Sequence, residues 1–174
     1  MVLTVADIGN TTLTLDCFIG ACAASTTLSS LQASGQIQAR ARLRDFTAAI
    51  SGDWDGKVMK DVIAVADWLA VQPWADRDRI GAMGWSWGGY AMMWLAGNDG
   101  HFKALASMMG VYDLRSMYSM TEELWFPEWD LKGTPWQNPG GYAKQSPSSY
   151  VEKFRTPTLV ITGQRDFRVP YTQS

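Results

Sequence analysis

The 174 residues predict an α/β fold, a mostly parallel sheet with helices on both faces, of which this chain carries an incomplete share. Three observations predict it. Short apolar runs alternate with helical patterns, a serine framed by glycines stands where one strand gives way to a helix, and a long proline-rich excursion separates the last two strands.

Each element has its own signal. Residues 57–71 place Val58, Val62, Val65 and Leu69 at spacings of four, three and four, which is one face of a helix, and Pro73 closes it. After the turn-like Ala75-Asp76-Arg77-Asp78, the run Arg79-Ile80-Gly81-Ala82-Met83 is short and apolar, as a buried parallel strand should be. Residues 90–96 are good helix material that stops at Gly97-Asn98. Residues 103–109 and 157–163 read as second and third buried strands. Between them, residues 112–149 hold four of the seven prolines and three of the nine tryptophans, too irregular for regular elements. In α/β enzymes such excursions often cover the site.

Residues 1–39 have a different character: the only charges are Asp7 and Asp16, the only aromatic is Phe18, and Thr, Ser and Ala recur without period. The composition shifts near residues 40–45. That divides the chain into an atypical segment, 1–44, and an α/β unit, 45–174. The first segment is expected to pack poorly, and its low-charge, unpatterned composition reads as sequence translated out of frame.

Composition excludes several functions. At 47% hydrophobic and 18% charged the chain is an ordinary globular protein, and a net charge of −2 offers no footprint for nucleic acid or an anionic membrane. No apolar run reaches the roughly 18 residues of a membrane span. Residues 13–24 lack the basic start of a signal peptide, so the cytoplasm is the default expectation. Cys17, Cys22 and His101 are too few for a zinc site, and no metal or cofactor is expected.

The chemistry centres on Gly84-Trp85-Ser86-Trp87-Gly88-Gly89-Tyr90. A G-x-S-x-G turn from strand to helix is so sharp that the positions two before and two after the serine must be nearly free of side chain, and Gly84 and Gly88 meet that need. A serine hydroxyl is a weak nucleophile, so it requires a base and an acid that orients the base. Asp166, in Gly163-Gln164-Arg165-Asp166-Phe167-Arg168-Val169-Pro170, follows the third strand at the same carboxyl edge and fits the acid; it also fits a residue that merely caps its loop. His101 fits the base poorly. It precedes Asp166 in the chain, and a helix of about ten residues carries it roughly 15 Å from the elbow. Only eight residues follow Asp166, too few for another crossover helix and strand.

Ser86 in Gly-Trp-Ser-Trp-Gly-Gly-Tyr, the following Phe102-Lys103-Ala104, and Asp166 in Gly-Gln-Arg-Asp-Phe-Arg-Val-Pro together resemble the catalytic domain of the prolyl oligopeptidase family of serine peptidases. Thr121-Glu122-Glu123-Leu124-Trp125-Phe126-Pro127-Glu128-Trp129-Asp130 is similar to the dipeptidyl-peptidase and acylaminoacyl-peptidase branch. The resemblance covers residues 45–174. It implies an α/β-hydrolase fold, with Ser86 as nucleophile, Asp166 as orienting acid and the backbone N–H of Trp87 as an oxyanion-hole donor. By the same resemblance Val111, Leu114, Met117 and Tyr118 line the pocket for the residue before the scissile bond, although all four suit a core equally. Relatives of this kind carry a β-propeller, a His-Gly-Gly-Pro strand and a catalytic histidine that residues 1–174 do not show, so the histidine is expected beyond Ser174.

The expected function is peptide hydrolysis by acyl transfer through Ser86, with the isolated fragment inactive. A carboxylesterase needs the same elbow and acid. A reading of another class is a non-catalytic module that binds a partner through exposed aromatics such as Trp125 and Trp129.

Overall fold

The computed structural model describes residues 51–73 and 75–174 in full, and residues 2–5, 14–19 and 22–27 as strand backbone. The expected poor packing of residues 1–44, its reading frame and the boundary near residues 40–45 lie outside the described residues.

Four strands form one parallel sheet in the order β1 (Val2–Val5), β4 (Gly81–Trp85), β5 (Ala104–Met108), β6 (Thr158–Ile161). Strands β2 (Thr14–Ile19) and β3 (Cys22–Thr27) pair antiparallel as a separate ribbon. Composition gave no sign of β1, because four residues are too few to show a period.

Helix α1 (Lys57–Ala70) buries Val58, Met59, Val62, Val65, Ala66 and Leu69 and ends before Pro73, as its apolar spacing requires. Helix α2 (Trp87–Asn98) is different. It starts directly after Ser86, three residues earlier than composition indicated, and is buried nearly all round, so it is the central helix of the core and has no solvent face to pattern.

Glycine brings α2 onto the sheet. A Cβ on Gly89 would stand 2.6 Å from both Gly110 Cα and Met108 O, so only a residue without one permits this approach. The fully buried Ser107 fills the remaining gap, its hydroxyl donating to Gly89 O at 3.0 Å.

Two expectations are corrected. The excursion between β5 and β6 does contain regular elements: α3 (Leu114–Tyr118), α4 (Trp125–Asp130), α5 (Pro139–Gln145) and a 3-10 turn at Pro147–Lys153. Side-chain caps allow such short helices, with Asp113 accepting from Ser116 N at 2.8 Å and Asn138 from Gly141 N at 3.2 Å, and prolines occupy first-turn positions that need no donor. The third strand, β6, is not buried: Leu159 is 61% exposed and Val160 and Ile161 are 41% exposed. It pairs with β5 alone, and no described element covers its faces.

Buried polar groups staple the excursion to the core. Gln145 accepts from Trp54 N at 2.8 Å through its side chain and from the Tyr90 hydroxyl at 2.9 Å through its carbonyl. Gln173, 2% exposed, accepts from Tyr112 N and Asp113 N and donates to the Ser116 hydroxyl. These bonds hold the walls of the site in place.

Candidate active site

Ser86 occupies the expected elbow at the carboxyl end of β4, a strand with neighbours on both sides. Its φ of 56° and ψ of −117° lie where L-residues go at a cost of about 1–3 kcal/mol, and the surroundings enforce them. Ser86 N donates to Met108 O at 2.9 Å, and Ser86 O accepts from Tyr90 N at 3.0 Å. At Gly84 a Cβ would lie 2.3 Å from Gly88 O, so strand and helix touch backbone to backbone.

Asp166 sits on the loop after β6, half-buried. Its Oδ1 accepts from Arg168 N at 3.0 Å and Val169 N at 2.9 Å, and among the described residues Oδ2 accepts nothing. One oxygen therefore caps the loop, while among the described residues the other is available. The loop is itself pinned to the excursion: Thr121 Oγ1 donates to Arg168 O at 2.8 Å, Glu122 N to Phe167 O at 2.9 Å, and Arg168 pairs with Glu123 at 2.5 Å.

Ser86 and Asp166 line one cleft of about 850 Å³ at the carboxyl edge of the sheet, although β5 lies between their strands. Trp87 and Val111 line it too. Leu114 and Met117, both 0% exposed, and Tyr118, 7% exposed, do not; of the two readings open for them, the structure gives the core, because the turn of α3 faces α5. Trp87 opens α2, and an N–H in a first turn has no acceptor within its helix, so it can receive negative charge.

His101 is elsewhere. It follows the far end of α2, roughly 18 Å along twelve residues of helix, and pairs through Nδ1 with Asp99 at 2.6 Å and through Nε2 with Asp67 at 2.9 Å. The Asp99 hydrogen bond leads in raising its pKa above the ordinary histidine value. No histidine lines the cleft.

Sequence reasoning missed part of the cleft. Trp54 and Phe126 stack with centroids 6.5 Å apart in its wall, and Asp130 is pushed up to about pH 6 by burial, which outweighs the Trp54 side chain and the Lys132 charge. Met109, at φ 46°, also lines it. The only advance signal was the aromatic and acidic density of residues 121–130.

A model of the prolyl oligopeptidase family matches residues 40–174. A dipeptidyl-peptidase 5 of Porphyromonas gingivalis is 40% identical over 130 residues, covering 72% of this chain and 19% of that protein. One from Schizosaccharomyces pombe is 36% identical over 127 residues, covering 71% and 19%. The Pyrococcus horikoshii acylaminoacyl peptidase superposes with a TM-score of 0.70 at 30% identity, over 75% of this chain and 21% of that one. This chain thus spans about a fifth of the length of these relatives.

Proposed function

Since the chain belongs to the prolyl oligopeptidase family, we propose that it is the nucleophile-bearing part of a serine peptidase whose Ser86 attacks a peptide carbonyl. The observation that carries this reading is Ser86, held at φ 56° on a backbone-tight elbow, sharing a cleft with the half-free carboxylate of Asp166.

The steps follow from the placement. As Ser86 Oγ bonds to the carbonyl carbon, its proton passes to an imidazole, and the Trp87 N–H stabilises the oxyanion. The intermediate collapses with the proton delivered to the leaving amine, giving an acyl-enzyme that water hydrolyses by the same path in reverse order. Asp166 Oδ2 orients the imidazole. His101 does not supply it, being tied to Asp67 and Asp99 at the far end of α2; in this reading the base comes from chain outside these 174 residues.

The exposure of Trp125 and Trp129 favours the same reading over a binding module, since both are walls of the cleft that holds Ser86.

The test grafts residues 45–174 into the Porphyromonas gingivalis dipeptidyl-peptidase 5 in place of the matching segment. The chimera is expected to react with a fluorophosphonate, to lose that reaction on Ser86→Ala, and to cleave peptide amides as well as esters. A folded chimera that stays unlabelled overturns the assignment, and ester turnover alone makes it an esterase. The 174 residues by themselves are expected to stay unlabelled, because loss of the base alone costs on the order of a millionfold, roughly 8 kcal/mol of barrier.

A further inference from the structure

The strands that carry Ser86 and Asp166 do not touch. In the order β4, β5, β6 they lie two strand spacings apart, about 10 Å. An imidazole that accepts from Ser86 and donates to Asp166 must therefore cross the end of β5. The residue that follows β5 at this carboxyl edge is Met109, half-buried and on the wall of the cleft.

Met109 is held there in a conformation its residue type disfavours. Its φ of 46° lies in the left-handed region, which glycine enters freely and where methionine is uncommon. The flanking backbone enforces it. The peptide unit before Met109 joins both neighbouring strands, the Met108 carbonyl accepting from Ser86 N at 2.9 Å and the Met109 N–H donating to Ile161 O at 2.8 Å. The next residue, Gly110, is pressed onto α2 so closely that a Cβ on it would stand 2.5 Å from Gly89 C. A glycine at position 109 would make the same turn without strain, so what methionine adds is its side chain. A long, unbranched thioether is suited to lie against an aromatic ring.

We propose that Met109 is a positioning residue whose side chain forms the shelf for the imidazole that takes the proton of Ser86. Packed under the ring, it fixes the tilt of the ring between Ser86 Oγ and Asp166 Oδ2. It also keeps water from that face, which favours the neutral, accepting imidazole until Ser86 gives up its proton. The proposal rests on the peptidase reading, which requires that imidazole.

The experiment compares the chimera carrying residues 45–174 with its Met109→Gly and Met109→Leu variants. Glycine keeps the backbone turn and removes the shelf; leucine keeps an apolar side chain of similar volume. Met109→Gly is expected to lower kcat about tenfold with KM within about twofold, because the base is misplaced and the substrate contacts are not. The acid limb of its kcat/KM profile should move up by about half a pH unit or more, as water reaches the imidazolium. Met109→Leu should restore both. Glu122, Glu123, Asp130, Arg165 and Arg168 line the same cleft in every variant, and β4 and α2 present no charged side chain to it, so a moved limb reads the solvation of the ring. If Met109→Gly fails to fold, the unsubstituted chimera labelled with methyl-13C methionine decides: the methyl resonance missing from the Met109→Leu spectrum must titrate with the midpoint of the acid limb. A folded Gly variant whose limb does not move, a loss that leucine does not restore, or a Met109 methyl flat in pH overturns the proposal and leaves the peptidase reading standing. A folded but inactive unsubstituted chimera overturns that reading, and the proposal with it.

Discussion

Gly84→Ala is the sharpest probe of the elbow. An added Cβ would stand 2.3 Å from Gly88 O, 2.4 Å from Gly88 C and 2.8 Å from Gly88 Cα. All three are backbone atoms, so no rotamer change relieves the overlap. Ordinary contact requires strand and helix to part by about 1 Å, and overpacking of this kind typically costs 1–3 kcal/mol, with rigid backbone placing it at about 3. For a chain of this size that is a fall in Tm of about 6–12 °C. In an active chimera, displacing Ser86 by about 1 Å would also cut turnover about a hundredfold. Thermal unfolding followed by circular dichroism reads the first effect. Gly140→Ala is the control: it lies in α5 with nothing within 4 Å of an added Cβ, so it should be neutral or stabilise by up to about 1 kcal/mol. If Gly84→Ala melts with the wild-type chain, the elbow is not backbone-tight and the catalytic assignment of Ser86 loses its geometric basis.

Other substitutions test separate parts of the site. Ser86→Gly relieves the φ 56° backbone and should melt above Ser86→Ala by about 1 kcal/mol, even after glycine's greater unfolded-state freedom; the reverse order would mean an unstrained elbow. Asp166→Ala should lose about 1–2 kcal/mol by stranding Arg168 N and Val169 N, whereas Asp166→Asn, which keeps an oxygen there, should lose less; chemical denaturation giving equal losses would remove the capping role. His101 has a raised folded pKa, so its contribution to stability is complete below its ordinary value of about 6.5 and is lost as the pH rises through the folded value. Urea midpoints measured across that range should decline for the wild-type chain more than for His101→Gln, and parallel curves would show that the Asp67 and Asp99 pairs do not favour the charged form.

The sequence by itself determined whatever depends on local backbone chemistry. Gly84 and Gly88 announced the elbow at Ser86 because the positions two before and two after the serine must be nearly free of side chain, and the spacing of Val58, Val62, Val65 and Leu69 announced the buried face of α1. It placed Asp166 at the right edge of the sheet and set His101 apart, since both follow from chain order and helix length. Tertiary structure decided what depends on distant neighbours. Apolar composition made β6 look buried, but burial needs a covering element, and none of those described lies on its faces. Val111 reached the cleft while Leu114, Met117 and Tyr118 went to the core, because the turn of α3 against α5 chose their directions. Asp130 owes its raised titration to desolvation that exists only once the excursion folds back over the sheet, and that burial outweighs the opposing pull of Trp54, 76 positions away in the chain, and of the Lys132 charge. A spacing rule can register a turn of a few residues; it cannot register which side chains, far apart in sequence, will share one dry wall.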